Sequence, residues 1–363
     1  MDSKKEQLLA LIRANPFIGQ QDLAARLGLS RSAVAGHIAA LTRERRLLGR
    51  AYVLPQRQPV VCIGGSNLDR KLRTLAPLQL GTSNPVTQRE TAGGVARNLA
   101  ENLARLGLPV HLLTAVGEDA AGRELLAQAE RLGIDTSGTL RAADAPTGSY
   151  TAVLDATGDL VLALAQMEIT ERLTPAFLRQ TAPQRAAASL TLADLNLPAD
   201  SIALLAQDAA AGGAPLLLVA VSVPKMTRLP RDLSGVQCLL LNRDELAAAV
   251  GERQPLKSAA ALARAQAQLR ERGLRQLVVT DGAAGVYYGD GGPLQHLEAP
   301  VVEVRDVTGA GDAFAAGVAA ALHQDPQDLT LACRRGLALA VLTLQTETTV
   351  HPELGPALLD APL

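Results

Sequence analysis

The sequence predicts an α/β fold, a mostly parallel sheet covered by helices with a small β lid, preceded by a small basic helical domain. Three observations support this. From residue 60 onward, short apolar runs alternate with helical patterns, which is typical of parallel α/β sheets. Residues 1–57 show only helical patterns and a short wing. The chain has 363 residues, which suits two domains better than one. We place the domains at residues 1–57 and 58–363.

The first 57 residues contain three helical patterns. Apolar residues at helical spacing predict a helix over residues 4–14, which stops before an Asn-Pro pair. Gln20–Leu27 is a second short amphipathic helix, and Gly28 follows it at the C′ position. Ser30 offers an N-cap for a third helix that runs to about Arg43. This order is typical of a helix-turn-helix.

The rest of this segment and its charge favour nucleic acid as a partner. Leu47–Leu54 predicts a hairpin or wing, followed by a Pro-flanked linker over 55–59. Ten Lys and Arg against four Asp and Glu give residues 1–57 a net charge of +6, whereas the remainder carries −7. The third helix would then lie in the major groove of duplex DNA, with contacts from Ser30, Arg31, Ser32 and His37. The alternative is a helical bundle used for packing or dimerisation.

Beyond residue 60 the elements alternate. Apolar runs predict strands at Val60–Ile63, Val110–Val116, Leu190–Ala193, Leu216–Val221, Val236–Leu241 and Leu277–Thr280. Helical patterns lie between several of them, at Gly94–Leu106, Glu118–Leu132, Ser258–Arg272 and Ala310–Leu322. Thr151–Leu154 and Leu160–Leu164, separated by DATGD, predict an exposed hairpin that forms part of a lid.

Composition excludes several classes of protein. The three cysteines are odd in number, widely spaced and in apolar surroundings, which indicates core residues in a reducing compartment. No apolar run approaches the ~18 residues of a membrane span, and no signal-peptide pattern begins the chain. We therefore expect a cytoplasmic protein that does not contact membranes.

The strongest chemical motif is DVTGAGDAFAAG, Asp306–Gly317. A Gly-Ala-Gly turn leads directly into a helix, so free amides and the positive helix end are available to an anion. Asp312 follows the turn, where a carboxylate would accept the proton of a hydroxyl that attacks a phosphate. The same residues also suit a Gly-rich helix start with a capping Asp, and physical reasoning alone leaves both interpretations open.

A second motif favours the chemical interpretation. TAGGVARNLAENLARLG, Thr91–Gly107, also places a glycine pair at a helix start, and Asn98 follows it. These two turns, more than 200 residues apart, resemble the paired signatures of the ribokinase or pfkB family. The resemblance covers roughly residues 59–350 and includes CIGGSNLDR, LNRDEL and TDGAAGV.

The resemblance implies a ribokinase-like fold, an ATP-dependent kinase and a role for each matching residue. Asp312 would be the catalytic base, and the acceptor would be held by Asn67, Asp69, Gly93, Gly94 and Asn98. ATP and its phosphates would lie against Asn242, Thr280, Gly282, Gly309, Ala310, Gly311 and Lys225. Mg²⁺ would be organised through water by Asn242 and Glu245, and a monovalent cation such as K⁺ by Asp306 and Thr308.

Smaller details concern the substrate. GTSNPV, LADLNLP and VSVPKMTRL are similar to segments of pseudouridine kinases and neighbouring nucleoside kinases, in which an N-terminal helix-turn-helix also occurs. Ala96 and Ala220 depart from the common pattern. The resemblance implies phosphorylation of a nucleoside 5′-hydroxyl, pseudouridine first, in a homodimer with duplex DNA as a further partner.

Two alternatives remain open. One is a kinase of another nucleoside or of a free sugar such as ribose or fructose. The other is a transcriptional regulator whose kinase body only senses its ligand, although a sensor has no need of Asp312. P-loop enzymes, protein kinases and dinucleotide oxidoreductases are excluded, because their motifs are absent from the sequence.

Overall fold

The computed structural model describes residues 3–15, 18–48 and 58–360. The chain separates into two compact units. One contains the residues up to Gln58 together with Pro183–Ala188, and the other contains Pro59–Ala182 and the residues from Ser189 onward. Within the described ranges, no helix is both long enough and apolar enough to cross a membrane.

The strands are β1 (Val60–Ile63), β2 (Asn67–Thr74), β3 (Val86–Gly93), β4 (Val110–Leu113), β5 (Ala115–Gly117), β6 (Leu140–Ala142), β7 (Gly148–Leu154), β8 (Leu160–Gln166), β9 (Leu190–Asp194), β10 (Leu216–Val219), β11 (Val236–Asn242), β12 (Gln276–Thr280), β13 (Val286–Gly289) and β14 (Gln295–Leu297). The helices are α1 (Lys4–Ala14), α2 (Gln20–Leu27), α3 (Arg31–Arg43), α4 (Val95–Arg105), α5 (Ala120–Arg131), α6 (Pro175–Gln180), α7 (Ala182–Ala186), α8 (Ala199–Ala210), α9 (Arg243–Ala249), α10 (Ala259–Glu271), α11 (Ala310–Gln324), α12 (Leu329–Leu344) and α13 (Ala357–Asp360). Short 3-10 helices lie at Glu168–Arg172, Val223–Arg228 and Gly282–Ala284.

The larger unit is built on an eight-stranded sheet in the order β14-β13-β12-β11-β10-β9-β1-β4. Neighbours from β4 to β12 are parallel, and the β12–β13 and β13–β14 pairs are antiparallel. The central strands are buried along their whole length, because helices cover both faces of such a sheet. The predicted α/β class is confirmed. The predicted strand Val110–Val116 divides at Thr114, whose hydroxyl donates to the Gly64 carbonyl at 2.6 Å.

A second sheet of four strands, β3-β2-β7-β8, forms the lid. The predicted hairpin is confirmed as the antiparallel pair β7–β8. Strands β2 and β3 were not predicted, because NLDRKLRT and VTQRETAG contain no apolar run or regular alternation. Their full-length pairing with each other makes them strands. Asp69 therefore lies within a strand and not in a loop after β1.

Helices α1–α3 of the smaller unit have the predicted bounds. Gly28 ends α2 in the left-handed conformation, with φ 62°, and the Ser30 hydroxyl caps α3 by accepting from the Ala33 amide at 3.1 Å. Apolar side chains of all three helices meet in one core that includes Leu8, Leu23, Val34 and Leu41. Of the predicted wing, only Leu47 and Leu48 fall within the described residues, and most of the linker also lies outside them.

Candidate active site

A cleft of about 720 Å³ lies at the carboxyl ends of the parallel strands, beneath the lid. Its lining comes from the loops after β9 and β10, from the first turns of α4 and α11, and from strands β2, β7 and β8. This is the edge where α/β sheets bind ligands. The predicted residues that line it are Asn67, Asp69, Gly94, Asn98, Lys225, Thr308, Gly309 and Asp312.

A smaller cavity of about 200 Å³ adjoins this cleft. Its lining includes the predicted nucleotide-side residues Asn242, Glu245, Thr280 and Gly311. Val95, Val221 and Asp312 line both cavities. Asp312 is the ionisable side chain among these three, so it borders both predicted halves of the site.

The turn that leads to Asp312 requires glycine. Gly309 has φ 83°, and a Cβ there would lie 2.1 Å from the Thr349 carbonyl oxygen. Helix α11 starts at the next residue, so the amides of its first turn have no partner within the helix. The Ala310 amide donates to the Val307 carbonyl at 3.3 Å. The Asn98 amide nitrogen donates to Asp312 Oδ2 at 2.7 Å. Burial raises the pKa of Asp312 to about 7, with smaller contributions from the carboxylates of Asp194 and Asp69.

The acceptor side is tightly constrained. The Asn67 amide donates to Asp69 Oδ1 at 2.6 Å, and burial raises the pKa of Asp69. A Cβ at Gly93 would lie 2.2 Å from Asp69 Oδ2, so no side chain fits between that strand and the carboxylate. Gly94 has φ 98°, and a Cβ there would lie 2.5 Å from the Gly65 carbonyl oxygen. Both glycines are required by close backbone approach.

Asn98 is held in place by its neighbour on α4. Its side-chain oxygen accepts from the Arg97 guanidinium at 3.0 Å, while its nitrogen donates to Asp312. Arg97 in turn forms a buried ion pair with Glu101. The amide orientation of Asn98 is therefore fixed from both ends.

Asn242 and Glu245 form a capping box at the start of α9. The Glu245 amide donates to Asn242 Oδ1 at 2.9 Å, and the Asn242 amide donates to Glu245 Oε2 at 2.8 Å. Burial raises the pKa of Glu245. One carboxylate and one amide oxygen suit Mg²⁺ that keeps most of its waters. In the parts of the chain that the structure describes, no cluster of three or more His, Cys, Asp or Glu could hold a metal directly.

Two predicted residues have surroundings that the sequence did not indicate. Lys225, predicted to contact phosphate, lines the larger cleft and not the smaller cavity, near Glu168 and Glu171, and burial lowers its pKa. Asp306, predicted to bind a monovalent cation, forms an ion pair with Lys71 of β2. The Lys71 ammonium also donates to the Thr308 hydroxyl at 2.9 Å.

The remaining predicted residues are close by. Thr280 donates to the Leu241 carbonyl at 3.4 Å, and Gly282 begins the 3-10 turn just after it, with φ 55°. The residues that line the larger cleft and that sequence reasoning missed include Tyr150, Met167, Glu168 and Asn196. Of these four, only Asn196 carried a signal, as part of LADLNLP. The others reach the cleft through lid pairing and the 3-10 helix at Glu168–Arg172.

Comparison with known proteins agrees with this geometry. Residues 57–354 match the model of the pfkB family of carbohydrate kinases, and residues 1–45 match that of winged helix-turn-helix DNA-binding domains. The chain is 34% identical over 321 residues to the uncharacterized sugar kinase YeiI of Escherichia coli, covering 88% of this chain and 87% of that protein. It is 33% identical to the pseudouridine kinase of E. coli over 82% of this chain and 94% of that protein. A carbohydrate kinase structure from Agrobacterium tumefaciens, 34% identical, superposes with a TM-score of 0.71 over 84% of this chain and 96% of that one.

Proposed function

Because the chain belongs to the pfkB family of carbohydrate kinases, we propose that it transfers the γ-phosphoryl group of ATP to the 5′-hydroxyl of a nucleoside, with pseudouridine as the first candidate. The observation that carries this proposal is the meeting of two cavities at Asp312. The larger cleft takes the nucleoside, and the smaller cavity takes the phosphates of ATP.

Asp312 is the proposed general base. Its carboxylate accepts the 5′-hydroxyl proton as the oxygen forms a bond to the γ-phosphorus, and the bond from that phosphorus to the bridging oxygen of ADP breaks. A pKa of about 7 leaves a useful fraction ionised near neutral pH and keeps the base strong enough to take the proton. Asn98 orients the carboxylate through its 2.7 Å hydrogen bond.

The other residues act by positioning and by charge. Asp69 accepts hydrogen bonds from ribose hydroxyls, with Asn67 holding it in place. The positive end of α11, which begins at Ala310 and Gly311, stabilises negative charge on the transferring group. Mg²⁺, held through water by Asn242 and Glu245, would neutralise phosphate charge when bound.

The nucleoside acceptor is supported by three observations. The cleft is much larger than the smaller cavity, and Tyr150 and Met167 lie among its lining residues as flat or pliable apolar surfaces. The E. coli relative that matches over 94% of its length is named a pseudouridine kinase. Lys225, which lines the same cleft, offers a positive hydrogen-bond donor to base or ribose oxygens.

A panel of acceptors tests this proposal. ADP release is measured with pseudouridine, uridine, guanosine, inosine, ribose and fructose, using Asp312→Asn to define the background. We expect the highest kcat/KM with a nucleoside. If ribose or fructose equals or exceeds every nucleoside, the acceptor is a free sugar. If no acceptor exceeds the background, the proposed nucleoside acceptor is wrong and the ligand-sensor alternative is favoured.

We also propose that the smaller unit binds duplex DNA. Ser30, Arg31 and Ser32 are exposed at the start of α3, and His37 is half-buried one turn further along. This arrangement suits a recognition helix, and the family match over residues 1–45 supports it. The test is titration of the full chain with genomic fragments at two salt concentrations. Binding should weaken steeply with salt, and a chain that binds no fragment at low salt would contradict the proposal.

A further inference from the structure

Asp194, at the carboxyl end of β9, is buried completely and lines neither cavity. Its carboxylate receives three backbone amides from three separate segments. Oδ2 accepts from the Gly65 amide and from the Ala96 amide, each at 2.9 Å, and Oδ1 accepts from the Asn196 amide at 2.8 Å. A buried charge with this many amide donors is an organised feature of the fold.

The three segments are those that carry the acceptor side of the cleft. Gly65 lies two residues before Asn67, and Ala96 lies between Gly94 and Asn98 at the start of α4. Asn196 lines the cleft itself. One carboxylate therefore sets the relative positions of groups that come from β2, α4 and the loop after β9.

The packing around this carboxylate is closed. A Cβ at Gly64 would lie 2.3 Å from Asp194 Cγ, and a Cβ at Gly65 would lie 2.7 Å from the Asn196 side-chain nitrogen. The glycine pair of CIGGSNLDR is explained in this way, since it lets the backbone approach Asp194 and Asn196. The motif LADLNLP has a physical role as well, because its Asp194 and Asn196 are the residues that this glycine pair approaches.

We propose that Asp194 is a positioning residue for phosphoryl transfer, whose carboxylate fixes the β1–β2 turn, the first turn of α4 and the loop after β9 in the arrangement that binds the acceptor. It touches no substrate and acts through Asn67, Gly94, Asn98 and Asn196. Its charge also faces Asp312, together with Asp69 of β2 and Arg97 of α4. The inference rests on the proposed function only for the identity of the bound acceptor.

Asp194→Asn is the informative change. Whichever way the new amide turns, its NH₂ group replaces one oxygen and faces at least one backbone N–H, so a buried donor loses its acceptor. Such a loss corresponds to roughly 10- to 100-fold in an equilibrium. We expect KM for the best acceptor of the panel to rise about tenfold or more, and KM for ATP to change less than threefold.

Asp119→Asn is the matched control. Asp119 also receives two backbone amides, from Gly122 and Thr147 at 2.8 Å each, but it lies outside both cavities. We expect it to lower the melting temperature while leaving both KM values unchanged. The acid limb of kcat/KM should move to lower pH in Asp194→Asn, because one negative charge near Asp312 is removed, and should stay in place in Asp119→Asn.

Gly65→Ala tests the junction if Asp194→Asn does not fold. It keeps the carboxylate but places a methyl group against Asn196, so KM for the acceptor should again rise more than KM for ATP. The proposal is overturned if Asp194→Asn or Gly65→Ala folds and keeps a KM for the acceptor within twofold of wild type. It is also overturned if KM for the acceptor and KM for ATP rise equally.

The role of Asp194 can also be tested without enzyme activity. If wild-type protein turns over no acceptor, hydrogen exchange gives the answer instead. The Gly65, Ala96 and Asn196 amides should exchange faster in Asp194→Asn than in Asp119→Asn. Equal protection in the two variants would then overturn the role of Asp194.

Discussion

The hydrogen bond from Asn98 to Asp312 gives the sharpest test of the proposed base. The pKa of Asp312 is raised to about 7 by burial, and the 2.7 Å bond from Asn98 opposes that rise because it stabilises the ionised form. Asn98→Ala should therefore raise the pKa further. A hydrogen bond to a charged group contributes about 1.5–3 kcal/mol, which corresponds to roughly one to two pH units. Water that enters the space left by the side chain reduces this, so we expect a shift of about one unit.

The assay is the pH profile of kcat/KM for the acceptor, which reports ionisations of the free enzyme. Activity of the wild type should fall as pH drops below about 7, because the base becomes protonated. At pH 6 about one tenth of the wild type would be ionised, against about one hundredth of Asn98→Ala. The ratio of mutant to wild-type kcat/KM should therefore fall about tenfold between pH 9 and pH 6.

Asn102→Ala is the control for this experiment. Asn102 is a buried asparagine one turn further along α4, and its amide donates to the Asn98 carbonyl at 2.8 Å without reaching Asp312. The acid limb of the kcat/KM profile of Asn102→Ala should therefore lie at the same pH as that of the wild type. A wild-type limb below pH 5, or a limb that does not move in Asn98→Ala, would refute the assignment of Asp312 as the base.

Four further predictions concern the base, the acceptor site, the monovalent cation and the oligomeric state. Asp312→Asn should lower kcat by about 10²–10⁴-fold, and should raise the melting temperature more at pH 8 than at pH 5. The reason is that a carboxyl with a raised folded-state pKa loses stability as pH rises through that value. Asp69→Asn should raise KM for the acceptor more than KM for ATP. A change in KM for ATP alone would contradict the assignment of Asp69 to the acceptor side of the site. Turnover in K⁺ against tetramethylammonium buffers tests the predicted cation at Asp306 and Thr308. Lys71→Met should increase any K⁺ stimulation, since it removes the ammonium beside Asp306, and equal rates in all buffers would contradict a cation site. Sedimentation at two protein concentrations tests the predicted homodimer, which a constant monomer mass would exclude.

Part of the fold and of the candidate site was predictable because helix caps, apolar runs and glycine turns are local sequence patterns. The end of α2 and the start of α3 follow from the caps at Gly28 and Ser30, whose conformations depend on a few neighbouring atoms. The parallel strands are short apolar runs that remain buried whatever their order in the sheet. The turn before Asp312 was visible from its glycines, because only glycine fits that approach to the backbone at Thr349.

Tertiary structure decided the rest, because the relevant contacts join residues far apart in the chain. The polar sequences of β2 and β3 become strands only through pairing with each other and with β7. Lys71 meets Asp306, and Asp194 meets Gly65 and Ala96, across separations of about one hundred residues or more. No local propensity encodes such meetings, since they depend on strand order and on which loops share one edge of the sheet. Sequence patterns were enough to predict the fold class and to propose Asp312 as the base, while the packed fold decided which side chains surround that residue.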